Sequence, residues 1–371
     1  MIDARRKTVL PGLWDMHAHF EQVEWGPIYL AAGVTTARDV GNELEFIAAV
    51  RDALRDGRGV GPQLLLAGVV DGTDTTALGV ARVDSRADAE RWVRNYRNAG
   101  FQQIKIYSSV KREMVEAICD IAHKAGMAVT GHIPRGMDVY QGVDAGMDQV
   151  NHVDFLIAPL APAAANAPDF LKRIEAFAGA DAGGAEARQE VEFLKRHDTV
   201  VDPTLALMEL IMNAQGEPVT RFEPDVVKVA PELAAPLNNF GALPAEAAPT
   251  GRRAFGNMLA MVGALHRAGV RVVAGTDQSV PGHSLHREIE LYVEAGFTPM
   301  EAIQAATLVP AQAMGVASVV GTLEVGKRAD LIVLDANPLD DIHNIRTVRQ
   351  VIANGVVYQT ARLWESVGFK P

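Results

Sequence analysis

A chain of 371 residues with 48% hydrophobic residues can bury a large core, and a formal charge of -11 leaves no basic face for a phosphate backbone. The one cysteine, Cys119, excludes an internal disulfide and any metal site built from several thiolates. No run approaches the ~18 uninterrupted apolar residues of a membrane span, and the start MIDARRKTVLPGLWDMHAHF has no apolar signal region, so the chain as given reads as soluble with its compartment open.

In chain order, short apolar runs predict eight strands: Thr8–Leu13 running on into His17, then 34–40, 63–70, 103–107, 128–132, 149–153, 199–205 and 270–277. Helical spacing fills segments between them, among them 44–55, 86–99 and 111–125. Glycines 33, 100, 126, 146 and 269 stand where a helix would hand over to a strand. Eightfold strand–helix alternation predicts an α/β fold of the (β/α)8 TIM-barrel type rather than an open doubly wound sheet.

Two stretches interrupt the rhythm, near 156–197 and 206–262. Both follow a strand and so open at the C-terminal face, where they are expected to act as lids. Their apolar residues Leu156, Met208 and Phe222 suggest a bulky or hydrophobic substrate. After a last barrel helix at 285–295, Thr298, Pro299 and Glu301 compose a capping box. Residues 316–371 then read as a small β unit with a hairpin at Ala353-Asn354-Gly355. The expected division is 1–9 as a residual β segment, 10–315 as the barrel and 316–371 as the β tail, an apparently incomplete sandwich.

The chemistry concentrates at strand ends. His17 and His19 lie two apart on the first strand and so face the same way. Lys105 falls on the fourth strand, His132 ends the fifth, His152 the sixth and Asp277 the eighth. A single strand histidine is more often a hydrogen-bonded core residue, a lone lysine snorkels, and an aspartate after Gly-Thr caps a turn. Six such groups at the C-terminal ends of one barrel make chance a poor account. His123, His197 and His266 fit exposed helix positions and His343 lies in the tail, whereas His283 or His286 would line the pocket.

The segments PGLWDMHAHF, GVTTARDVG, QIKIY, VTGHI, QVNHVDF, AGTDQSVPG and GTLEVGKRADLIVLD resemble the amidohydrolase superfamily, in its imidazolonepropionase-like and metal-dependent prolidase branch. The resemblance implies a binuclear site. His17, His19 and Asp277 would bind one divalent metal, and His132 and His152 the other. Lys105 would bridge them as a carbamate formed with carbon dioxide. Zinc is the first choice of metal, imidazole and carboxylate ligands also suiting manganese. A hydroxide held between the metals would attack an amide, peptide or cyclic amide carbonyl, with Asp277 shuttling the proton to the leaving nitrogen. Tyr107, Arg135 and His283 would contact the small-molecule substrate. Ile133 stands where prolidase relatives commonly have an aromatic residue, which sets prolidase specificity apart.

Three alternatives stand beside this reading. A mononuclear deaminase or imidazolonepropionase-like hydrolase would not use a fourth-strand lysine, so Lys105 discriminates. An esterase or lactonase would use the same site, and a non-catalytic metal-binding barrel is the third. The family usually begins with a longer N-terminal β segment. Its shortness here predicts a truncated start, or an exposed tail edge that a second copy of the chain would cover.

Overall fold

The computed structural model describes residues 4–162, 167, 169–238, 240–241 and 243–371; parts of both insertions, at 163–166, 168, 239 and 242, lie outside them. The first expected strand is in fact two. β1 (Thr8–Pro11) pairs antiparallel with a tail strand, and β2 (Leu13–Ala18) starts the parallel sheet. The switch is a change of hydrogen-bond partner: Gly12 N–H donates to Asp330 O (3.0 Å), and Leu13 N–H to Gly33 O (3.0 Å). Pro11 has no N–H to give, and a Cβ on Gly12 would collide with Thr35 Oγ1.

A five-stranded parallel sheet runs β2, β3 (Val34–Asp39), β4 (Gln63–Val70), β5 (Gln103–Ile106) and β6 (Ala128–Gly131). A second parallel sheet runs β7 (Gln149–Asn151), β8 (Val200–Asp202) and β9 (Arg271–Val272). Backbone hydrogen bonds cross both seams. Asp148 N–H donates to Val129 O (2.9 Å) on one side and Met16 N–H to Ala274 O (2.8 Å) on the other. The strands therefore curl in the manner of a TIM-like barrel, and their C-terminal ends share one mouth.

The predicted helices form where the periodicity places them. Leu44–Arg55 buries Ile47 and Val50, and Arg86–Asn98 is capped by Ser85, whose hydroxyl accepts from Asp88 N–H. Thr298 and Glu301 complete the capping box of Pro299–Ala305. The insertions carry helices at Phe170–Gly179, Ala185–Arg196, Leu205–Ile211, Pro231–Asn238 and Ala248–Ala268. No helix among the described residues is long and apolar enough to cross a membrane.

Burial corrects the expectation about Leu156, Met208 and Phe222. All three belong to the main apolar core, where the insertions lay their hydrophobic sides on the barrel, so they carry no information about substrate. The tail is a single antiparallel sheet in the order β1, β10 (Leu331–Leu334), β11 (Val348–Ala353), β12 (Val356–Gln359). Helices Trp25–Ala31 and Thr360–Ser366 pack together and against β11. The hairpin turns at Asn354 and Gly355, both with positive φ (48° and 79°), as a two-residue turn requires.

One buried group is out of balance. Glu190, on the helix Ala185–Arg196, is fully buried and neither carboxylate oxygen has a partner among the described residues. Burial, reinforced by Asp138, pushes its carboxyl up to about 9. The folded protein thus keeps a proton that the unfolded chain releases above the ordinary carboxylate range. Its contribution to stability falls as pH rises from about 4.5 to about 9. Glu190→Met should raise stability at pH 8 by about 2–4 kcal/mol, the gain shrinking toward pH 5. Urea denaturation at the two pH values checks this, and equal gains at both would contradict it.

Candidate active site

Period-two alternation on β2 aims Asp15 and His17 to one side and places Trp14 and Met16 in a separate apolar cluster. Asp15 organises the adjoining turn: Oδ1 accepts from the N–H groups of His17 (3.0 Å) and Thr276 (3.1 Å), and Oδ2 from Thr276 Oγ1 (2.7 Å). Asp277 N–H donates to His17 O (2.9 Å), so the eighth-strand turn sits directly over the first strand.

Six of the nine predicted site residues converge. His19 Nε2 lies 2.8 Å and His17 Nε2 3.7 Å from Asp277 Oδ1, while His152 Nε2 lies 3.9 Å from Asp277 Oδ2. Lys105 Nζ is 3.1 Å from His17 Nε2, and the Nε2 atoms of His132 and His152 face each other at 3.0 Å. Tyr107 lies against His132, with ring centroids 4.1 Å apart and the planes tilted by 34°. Arg135 is more than half exposed at the rim, bonded to Ser109 Oγ and Thr76 Oγ1.

His283 is not brought into this group. Its ring stacks on Trp364 (centroids 4.7 Å apart), with Asp225 Oδ2 3.7 Å from Nδ1, so it packs against the C-terminal helix. His286 is likewise turned away, its Nε2 2.8 Å from Ala32 O. The turn at 278–283 carries His283 to the C-terminal helix, and His286, in the first turn of the helix Ser284–Glu294, points to Ala32.

Burial dominates the electrostatics. It holds His17 and His132 well below the ordinary imidazole range, helped by the Lys105 charge, and brings His152 down to about 4. Burial lowers the Lys105 ammonium to about 8, against the pull of Asp277 and Asp202. Burial also works to raise Asp277, but the imidazoles of His17, His19 and His152 outweigh it and keep the carboxylate ionised. Neutral His17, His132 and His152 beside an ionised Asp277 are the states that cation binding needs, whereas His19, despite its burial, is shifted up by its bond to Asp277 and would give up that proton to a cation.

The donor set fits a divalent metal. Ligand atoms of His17, His19 and Asp277 all lie within 4.8 Å of one another. The outer ring nitrogens are held in turn: His17 Nδ1 by Asp202 Oδ2, His132 Nδ1 by Ser108 Oγ and His152 Nδ1 by Thr204 Oγ1, each at 2.8 Å. Ring nitrogens secured in this way fix which nitrogen faces a metal.

Asp202, Ser108 and Thr204 are not among the residues that the sequence pattern singles out. Asp202 was findable, because it ends the seventh strand as Asp277 follows the eighth. A cavity of about 700 Å³ adjoins the histidines, lined among others by Ser108, Ile133, Arg135, Asp154, Phe155 and Arg173.

Residues 29–358 match the amidohydrolase family. The chain belongs to that family. The matched residues include Lys105, His132, His152 and Asp277, while His17 and His19 precede them. Among solved structures, this amidohydrolase resembles bottromycin amidohydrolase, with a TM-score of 0.77, 23% identity, and coverage of 99% of this chain and 82% of the other. It also resembles a putative prolidase from Bifidobacterium longum, with a TM-score of 0.70, 25% identity, and coverage of 99% and 86%. A curated relative, ochratoxinase from Aspergillus niger, is 36% identical over 107 residues, 28% of this chain. That match spans only 22% of the ochratoxinase's length.

The amidohydrolase mouth rests on a buried cation. Arg38 is fully buried beneath the histidines and donates to Met16 O, Gln103 Oε1, Gln149 Oε1 and Asp202 Oδ2. Arg38→Met should cost about 3–5 kcal/mol, because it leaves the Asp202 carboxylate buried without its cation. Chemical denaturation measures it; a loss under 1 kcal/mol would show that the pair contributes little.

Proposed function

We propose that this amidohydrolase is a binuclear metal-dependent hydrolase that cleaves an amide, peptide or cyclic amide C–N bond. The observation that carries the reading is the convergence of His17, His19 and Asp277 with Lys105 and the facing pair His132 and His152. His17, His19 and Asp277 would hold one cation, His132 and His152 the other, with zinc preferred for this ligand set. When bound, such cations supply Lewis acidity toward a carbonyl and lower the pKa of water.

Lys105 would serve as the bridge only after modification. An ammonium between two cations is repelled, whereas the carbamate made with carbon dioxide is an anion. Burial favours the neutral amine, which is the form that attacks carbon dioxide. Asp277 is the best-placed proton carrier: it is ionised, its side chain is 22% exposed toward the mouth, and both of its oxygens approach imidazoles. It would accept a proton from the attacking water and return it to the leaving nitrogen.

The adjoining cavity is the proposed substrate site, with Arg135 at its rim and Tyr107 beside His132. His283 drops out of the substrate contacts because it stacks on Trp364. In this reading residues 10–315 compose a closed (β/α)8 barrel with two insertions. The residual segment 1–9 and the tail 316–371 would contribute to a small sandwich. The amidohydrolase and prolidase names of similar structures favour a C–N bond over an ester.

Asp277→Asn should retain substantial metal and lose turnover by about 10²–10⁴-fold, measured by metal analysis and amide hydrolysis on one preparation. An active Asp277→Asn protein removes the proton shuttle. Lys105→Ala should lower bound metal from two equivalents per chain. One equivalent in the wild type, unchanged in the variant, favours the mononuclear alternative. A screen of N-acyl amino acids, dipeptides, lactones and aryl esters with metal-reconstituted protein tests bond class, and no hydrolysis at all points to the non-catalytic barrel.

A further inference from the structure

β8 ends at Asp202 and the next helix begins at Leu205, so Pro203 and Thr204 make the whole turn. Thr204 is the N-cap of Leu205–Ile211, yet its hydroxyl makes no capping bond. A threonine there ordinarily accepts from the second or third N–H of its helix. Here its Oγ1 lies instead 2.8 Å from His152 Nδ1. Its backbone is left-handed (φ 48°), an outlier for a β-branched residue.

The missing cap comes from far along the chain. Glu288, fully buried on the helix Ser284–Glu294, accepts from Leu205 N–H with Oε1 (3.0 Å) and from Ala206 N–H with Oε2 (2.7 Å). The two oxygens of Glu288 satisfy the first two N–H groups of the helix, and although burial pushes this carboxyl up to about 8, those two N–H bonds work against the rise. Thr204 is thereby released from capping. Two residues earlier, Asp202 Oδ2 accepts from His17 Nδ1 at 2.8 Å.

We propose that Asp202-Pro203-Thr204 is an orienting clamp, locked by Glu288, that positions one histidine of each predicted metal pair. Asp202 can only accept and so holds His17 with its Nδ1 protonated; the Thr204 hydroxyl can accept or donate, and in the clamp it accepts from His152 Nδ1, so both rings present Nε2 inward. Ser108 Oγ can donate or accept, which lets His132 take the complementary tautomer opposite His152 in the metal-free protein. These are positioning residues. Their consequence for metal affinity rests on the binuclear reading, but the tautomers do not.

The test reads tautomers first. Histidine-labelled ¹⁵N spectra of the metal-free protein should show His152 as a single Nδ1-protonated form. Thr204→Val, close in shape, should convert it to a mixture and leave His17 unchanged, while Thr204→Ser should restore the wild-type signal. Asp202→Asn should disturb His17 in place of His152, and Glu288→Gln should disturb His152 without touching it. In chelator competition with zinc, Thr204→Val should weaken one of two bound ions about 10–100-fold, and Thr204→Ser should not. A folded Thr204→Val protein with the wild-type His152 tautomer overturns the clamp. Wild-type protein that binds no zinc overturns the binuclear reading, and the tautomer result still decides the clamp.

Discussion

The mouth of the barrel depends on one buried carboxylate. Asp202 Oδ2 takes hydrogen bonds from His17 Nδ1, Arg38 Nη2 (3.2 Å) and Asn151 Nδ2 (3.0 Å), joining the first, second, sixth and seventh strands at a point closed to water. A carboxylate desolvated to this degree is costly unless a cation and several donors surround it. Burial pushes its carboxyl up to about 6 even with the Arg38 charge opposing the rise. Gly275 on the far side has no room for a Cβ, which would collide with Asp202 Oδ1. The glycine in the Ala-Gly-Thr-Asp run is therefore a packing requirement of this carboxylate, and it lets the eighth-strand turn bring Asp277 over His17.

Much of this was legible in the sequence for a simple reason. Parallel strands of a barrel are short apolar runs, and anything ionisable at their C-terminal ends is conspicuous. His17, His19, Lys105, His132, His152 and Asp277 all announce themselves by that rule, and all six meet. The same rule reaches two further carboxylates. Asp202 satisfies it on the seventh strand, and Asp39, which accepts from Phe20 N–H at 2.7 Å, satisfies it on the second. The other failures have different causes. Period-two patterning runs unbroken through Gly12, so only the change of hydrogen-bond partners reveals two strands. His283 lies close to Asp277 in sequence, but the intervening turn sends it to Trp364. Apolar insertion residues look like pocket lining until burial shows them in the core.

The insertion and tail are tied to the barrel by charge, which no hydrophobic pattern discloses. Arg346 in the tail donates to Glu223 and Asp225 of the second insertion and to Glu290 of the last barrel helix. On that same helix, Arg287 forks onto both oxygens of Glu209, on the helix that follows Thr204. Buried ion pairs add little net stability compared with apolar packing of the same shape. What they add is registration, because each carboxylate is tolerated in one place only. The helix Ser284–Glu294 thus meets the insertion through Arg287, the tail through Glu290 and the turn behind His152 through Glu288.

Backbone strain points to the same place. Among the described residues seven non-glycines have positive φ, and four of them, His152, Thr204, Asp277 and Gln278, lie at the mouth. Each such conformation costs on the order of 1–3 kcal/mol and persists only where its surroundings over-determine it. The reason is geometric. β7 stops at Asn151, whose side chain bonds Asp202 inside the barrel, so alternation would turn the next residue, His152, outward. A left-handed step at His152 reverses that and turns its ring toward His132, and Thr204, likewise left-handed, meets His152 from the neighbouring turn. Such a reversal has no signature in hydrophobic periodicity. It is sustained by hydrogen bonds: His152 N–H to Asp202 O (2.7 Å), Asp277 N–H to His17 O, and Glu288 on the helix behind Thr204. The strain is the local cost of aiming four neighbouring strand ends at one small volume.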